Sequence, residues 1–92
     1  MKLTVEYEAQ VKKAAGIASE DVELDGPCTV QSLIVHVAEK HGDPLKPILI
    51  DSEGNLQKSI LLFLGDRQIH WDDAPELSEH DVLTILSPIS GG

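Results

Sequence analysis

Among the groups in this chain able to do chemistry, the terminal carboxylate is the least hindered. The chain ends Leu86-Ser87-Pro88-Ile89-Ser90-Gly91-Gly92. Neither Gly91 nor Gly92 carries a Cβ, so both signs of φ are open and a partner's backbone can approach closely. A carboxylate on so thin a tether suits a chain whose own C-terminus is the reacting group. Read alone, the dipeptide is more simply a frayed end, because domain termini are usually poorly ordered. The other candidate groups, and the elements that would position them, decide between these readings.

Those other candidates are weak. His36, His41, His70 and His80 are metal ligands only by type, since their spacing lacks the close His/Cys pairing that zinc sites use. Cys28, the single cysteine, stands between Pro27 and Thr29 with no adjacent base or cation to activate it. Lying just before a helix start it has a route to a modest pKa depression, but it reads first as a small buried filler. Asp72-Asp73 and Glu79-His80-Asp81 fall in expected turns, and paired carboxylates do acid–base work only in a pocket that separates their pKa values. A domain with one helix is expected to offer little concavity. The remaining glycines form no phosphate-cradling loop. No nucleophile–base pair is present, so no enzyme activity of the chain's own is expected.

Composition narrows the partners. Seven basic against sixteen acidic residues give a formal charge of −9. That balance argues against nucleic acid, whose phosphates are met by Lys and Arg, and against an anionic membrane. It leaves a merely soluble domain or one that docks on basic protein surfaces. With one cysteine no intramolecular disulfide can form, and the N-terminus lacks a secretion-signal layout, so a cytoplasmic location is expected. Ninety-two residues make one domain. With only Tyr7, Phe63 and Trp71 aromatic, its core must be aliphatic.

The elements follow from the periods of the apolar residues. Leu3, Val5 and Tyr7 alternate with polar neighbours and predict a half-buried strand. Gln10 to Gly16 reads as a connection, and Val22 with Leu24 as a second alternating strand, the two strands forming a hairpin. Val30, Leu33, Ile34, Val37, Ala38 and His41 fall at helical spacing, with Thr29 as N-cap and Gly42 past the end. Asp43 to Pro47 leaves the helix, and Ile48-Leu49-Ile50 reads as a short apolar patch before the turn chemistry of Asp51 to Asn55. Ile60–Leu64 is an unbroken apolar run, which predicts a central strand buried on both faces, and Val82 to Leu86, with Val82, Leu83, Ile85 and Leu86 apolar, is a second central-strand candidate. Arg67 to Ile69 returns as a short strand. The sum is an α+β fold of the β-grasp arrangement: a mixed sheet of four to five strands with one main helix across one face. The first and last strands would then lie parallel and adjacent. The expected division is a domain over residues 1–86 and a flexible Gly-Gly tail over 87–92.

At this point the residues resemble a known family. Leu3-Thr4-Val5-Glu6-Tyr7-Glu8-Ala9-Gln10-Val11 through Gly16 resembles the first strand and loop of MoaD-type small subunits of molybdopterin synthase. Asp81 to Gly92 resembles the shared terminus of the MoaD/ThiS sulfur-carrier family, with Thr29 to Leu33 and Phe63-Leu64-Gly65-Asp66 similar to its helix start and its strand-and-turn. Departures are Glu79-His80-Asp81 where the family commonly has Asp-Gly-Asp, and Ile85 and Ser87 in place of a Phe and a Pro. The segment Asp51 to Leu56 looks closer to carriers that serve cysteine or other thio-metabolite synthesis.

The resemblance implies a ubiquitin-like, non-catalytic sulfur carrier. An E1-like enzyme would adenylate the Gly92 carboxylate with its own ATP, no cofactor or metal being held by the carrier. A sulfur donor such as a cysteine desulfurase or rhodanese-type protein would then convert it to a thiocarboxylate. A sulfur-accepting enzyme, such as a molybdopterin synthase large subunit, would take the sulfur. Molybdopterin synthesis is the first pathway implied; cysteine, thiamine and tRNA thiolation are others, and conjugation of the same carboxyl to target lysines is the alternative. The tail fits that use. Six residues beyond Leu86 span at most roughly 20 Å when extended. Pro88 restricts the tail near its base, Ile89 offers an apolar anchor, Ser90 follows, and Gly91 gives clearance beside the reacting Gly92. In that context Gly-Gly is the reactive site rather than a frayed end.

Overall fold

The alternating run at the N-terminus forms β1 (Lys2–Ala9), whose Leu3, Val5 and Tyr7 point into the core. The computed structural model describes residues 1–87. Among them a five-stranded mixed sheet forms in the order β2-β1-β5-β3-β4, with β2 at Ser19–Glu23, β3 at Leu61–Leu64, β4 at Arg67–Ile69 and β5 at Val82–Ser87. β1 and β5 are parallel, in register from Thr4 opposite Val82 to Ala9 opposite Ser87. β1–β2, β3–β4 and β3–β5 are antiparallel. This is the ubiquitin-like β-grasp arrangement of an α+β fold.

The main helix, α2 (Val30–His41), lies where the periodicity places it. Val30, Leu33, Ile34, Val37 and Ala38 are buried beneath it. Each of the larger four, Val30, Leu33, Ile34 and Val37, contributes about 1.5–3 kcal/mol relative to exposure. The Thr29 hydroxyl accepts the Ser32 N–H at 3.2 Å, satisfying one orphan donor of the first turn. Gly42 ends the helix with a φ of 65°, a value that a Cβ would disfavour.

Four local readings are corrected. The segment from Gln10 is not a plain connection but a one-turn helix, α1 (Gln10–Ala15), stopped by Gly16 in the left-handed conformation. Six residues are too few to show a period, and a single buried anchor, Val11, docks it. Likewise Ile48–Ile50 is no isolated patch: Leu45–Leu49 forms α3, with Leu45 and Leu49 buried. Pro47 sits in its first turn, where the missing N–H would have had no helical partner. Finally, β3 and β5 are not buried on both faces. Leu62, Leu83 and Ile85 face the core, while Leu61, Phe63, Val82 and Leu86 lie on the other side and stay half-exposed. The helices cover one face of the sheet only. The second strand also begins earlier than Val22 and Leu24 indicate. Leu24 lies just past β2 but continues the pairing through Met1, their backbones bonding at 2.8 and 2.9 Å.

One polar cluster binds the edge strand to the helix. Glu20 of β2 accepts hydrogen bonds from the Tyr7 hydroxyl at 2.5 Å, His41 Nε2 at 2.5 Å and Lys40 Nζ at 2.7 Å. Tyr7 is only 1% exposed, and its ring meets His41 edge-on at 5.9 Å. Burial, then the bond to Glu20 and its charge, push the Tyr7 hydroxyl well above its ordinary range. For Glu20, burial alone would raise the pKa. The bonds from Lys40, Tyr7 and His41 outweigh it and draw the carboxyl down to about 2. Three elements therefore converge on one carboxylate, and α2's last two residues are held by it.

This cluster has a pH signature. Because Glu20 titrates lower when folded than its ordinary 4.5, it adds stability that is present above that value and lost as pH falls towards about 2. Urea unfolding across that interval is expected to show wild-type stability falling more steeply than that of Glu20→Gln. Parallel pH profiles would mean the cluster contributes nothing. Glu20→Ala, which leaves the Tyr7 hydroxyl unpartnered, is expected to cost about 1–3 kcal/mol at neutral pH.

Candidate functional site

The site is built around the end of β5. Ser87, which the sequence reading places at the start of the tail, is the last residue of β5 and is buried opposite Ala9. There β1 turns into α1 through Ala9 at a φ of 58°. Pro88, Ile89, Ser90, Gly91 and Gly92, the expected functional residues, lie outside the described residues. Their attachment point is clear. The segment leaves from the central strand of the sheet, beside the parallel strand β1.

The open face of the sheet, away from the helices, includes part of the same strand β5. Its composition changes across the strands. On β5 and β3 it carries Val82, Leu86, Leu61 and Phe63, with Leu86 opposite Leu61 and Thr84 opposite Phe63. On β1 and β2 it carries Glu6, Glu8, Asp21 and Glu23, all exposed. The seam is bridged by Thr84 Oγ1 donating to Glu6 at 3.3 Å, and within the acidic side Thr4 Oγ1 donates to Asp21 at 3.0 Å. The result is an apolar band flanked by an acidic one, running along the strand that carries the C-terminal segment.

Sequence reasoning missed these four apolar residues as surface. The signal was available: both apolar runs place hydrophobic residues on both faces, and one helix layer cannot cover two faces of a sheet. An uncovered apolar strand face is the ordinary mark of an interaction surface.

The residues set aside as weak candidates are separated. His36 and His70 are exposed, and His41 is committed to Glu20. Among the described residues no group of His, Cys, Asp and Glu is arranged to hold a metal. Cys28 is half-buried against the core, and burial raises its thiol pKa, so the helix start does not activate it. Glu79-His80-Asp81 is a structural turn: Asp81 accepts the Ser78 N–H at 2.7 Å and Glu79 accepts the Lys2 N–H at 2.9 Å. Asp72 and Asp73 are exposed beside Trp71 in a 3-10 turn. Among the described residues no helix is long and apolar enough to cross a membrane.

The fold recurs in proteins of known structure. The chain is similar to SAMP1 from Haloferax volcanii, at 21% identity and a TM-score of 0.87 over 100% of both chains. It is similar to a molybdopterin converting factor subunit 1 from Pyrococcus furiosus, at 24% identity and a TM-score of 0.76, covering 97% of this chain and 99% of that one. It also matches a chain of the BexX/CysO complex of Amycolatopsis orientalis, at 26% identity and a TM-score of 0.70, covering 98% and 99%. No curated protein matches at the level of sequence. The family description that fits is ThiS, and it spans residues 5–92, both apolar runs and the Gly-Gly end included. The chain belongs to the ThiS family of small ubiquitin-like proteins.

Proposed function

We propose that this protein is a sulfur carrier whose Gly92 carboxylate is the atom-bearing group. What carries the reading is the extent of the family match, which runs through the Gly91-Gly92 end, on a domain whose last described strand lies at the centre of the sheet. An E1-like enzyme joins the carboxylate to the α-phosphate of ATP, releasing pyrophosphate. A persulfide sulfur of a donor, a cysteine desulfurase or rhodanese-type protein, attacks the acyl carbon and expels AMP. A thiol then cleaves the resulting sulfur–sulfur bond, leaving a thiocarboxylate on Gly92 and a disulfide on the donor side. All of these groups except the carboxylate belong to partners, so the carrier acts as co-substrate and not as catalyst.

Each part of the chain has a role in that scheme. Gly91 and Gly92 give the acyl carbon clearance in a narrow channel, Pro88 limits the states lost on insertion, and Ile89 and Ser90 contact the channel wall. Leu61, Phe63, Val82 and Leu86 form the docking face, and Glu6, Glu8, Asp21 and Glu23 favour a basic surrounding surface. The accepting enzyme is best taken as a molybdopterin synthase large subunit or an enzyme of another thio-metabolite pathway. The likeness to the Pyrococcus furiosus subunit supports the first, and the likeness to the BexX/CysO chain supports the second. The compartment that fits is the cytoplasm.

Intact-mass spectrometry after incubation with a cognate E1-like enzyme, ATP and a sulfur donor tests the reading. Replacement of one oxygen by sulfur at Gly92 is expected, and recovery of Gly92 only as an isopeptide on target lysines would instead identify a protein modifier. A second expectation concerns the face. Phe63→Asp removes a half-exposed side chain and is expected to leave the melting temperature within a few degrees while raising the KM for adenylation about tenfold or more. An unchanged KM would place the docking surface elsewhere.

A further inference from the structure

The turn that follows β1 carries charge opposite in sign to most of the surface. Of the chain's seven basic residues, Lys12 and Lys13 are neighbours on α1, and both are exposed. Lys2, Lys40 and Lys46 are paired with Asp21, Glu20 and Glu39, whereas Lys12 and Lys13 meet no acid among the described residues. With Ala9, Gly16, Ile17 and Ala18 they line an open depression of about 620 Å³. Its other linings are small or apolar, and Ile17 is 40% exposed. Every charged group lining it is therefore positive.

This depression lies beside the exit of the C-terminal segment. Ala9, which lines it, is the parallel partner of Ser87, so the two are one strand spacing apart, about 4.8 Å. Residues 88–92 span at most about 17 Å beyond that point. That is enough to cross the single methyl of Ala9 and reach the lysines. The segment brings one large apolar side chain, Ile89, and one charge, the Gly92 carboxylate. These complement Ile17 and the pair Lys12 and Lys13. On the open-face side of Ala9, Glu6 and Glu8 line a neighbouring depression that shares Lys12. Their charge disfavours a carboxylate there and leaves the side of Lys13 and Ile17 as the favourable one.

We propose that this depression binds the chain's own C-terminal segment, with Ile89 against Ile17 and the Gly92 carboxylate against Lys12 and Lys13. The end is held on the domain between partners, and a partner takes it by supplying stronger contacts. A contact within one chain needs little intrinsic affinity, because the short tether sets a high effective concentration. Docking requires Gly92 to be the free end that the carrier reading makes it, but requires no enzyme, ATP or sulfur. Its failure therefore leaves that reading, tested by intact mass, as it stands.

Backbone amide NMR compares the full chain with the same chain ending in a Gly92 carboxamide, which keeps the length and removes the charge. Expected are shift differences at residues 12–18 as well as at the tail, unchanged on dilution and lost at high salt. Lys12→Gln with Lys13→Gln, checked for folding by melting, is expected to abolish the differences at 12–18. The same variant is expected to speed release of Gly92 by a carboxypeptidase about threefold, and Lys12→Arg with Lys13→Arg to restore the slow rate. Differences confined to the tail, or spread over the open sheet face, would overturn the proposal. So would differences that fade on dilution, which would put a second copy's terminus in the depression. Equal release of Gly92 from wild type and the glutamine variant, or a lower melting temperature with the shifts still in place, would assign the lysines to α1 alone and overturn it as well.

Discussion

The parallel pairing of β1 with β5 is the constraint on which the rest of this structure depends. It joins the two ends of the described chain at the centre of the sheet, from Thr4 opposite Val82 to Ala9 opposite Ser87. A parallel pair cannot be closed by a tight turn, so everything between the two strands must serve as the crossover and its packing. α2 supplies the layer that covers the sheet, and β2, β3 and β4 extend the sheet on both sides. Placing the last strand in the middle also decides where the C-terminal segment leaves: from the most firmly held part of the domain.

With one helical layer, the sheet has one dry face and one open face, and the protein uses the difference. The dry face takes Leu3, Val5, Tyr7, Leu62, Leu83 and Ile85 against the stripe of α2. On the open face the apolar residues concentrate on β3 and β5 and the acids on β1 and β2. The edge strand β2, rich in Glu20, Asp21 and Glu23, is protected from pairing with other chains by its charge. Glu20 does more than that. It turns inward, away from that exposed acidic edge, and holds Tyr7, Lys40 and His41 together.

What was legible in the sequence was whatever rests on a long period or a specific cap. β1 and α2, with Thr29 and Gly42 at the ends of the helix, are where their periods and caps put them, and the parallel first and last strands follow from the order of elements. Short elements were not legible. α1 and α3 have six and five residues, too few to express a helical period, and they exist because Val11, Leu45 and Leu49 find places in the core. The double-faced apolar runs were misread for another reason. In a parallel sheet covered on both sides they mean burial, whereas here the single layer leaves Leu61, Phe63, Val82 and Leu86 half-exposed. The Glu20 cluster was invisible because its other members lie 13 to 21 positions from Glu20 and meet it only through the β1–β2 hairpin and the end of α2. The dependence of the reactive end on Gly91-Gly92 is a reading of chemistry and family, resting on residues beyond the described strand.

The account's central claim is that the terminal carboxylate is activated by a partner that recognises the domain. ATP–pyrophosphate exchange catalysed by a cognate E1-like enzyme measures that step alone, before any sulfur moves. The full chain is predicted to support exchange, and a chain lacking Gly91 and Gly92, with an unchanged melting temperature, to support none. Equal exchange with the shortened chain, or none with the full one, would contradict the account.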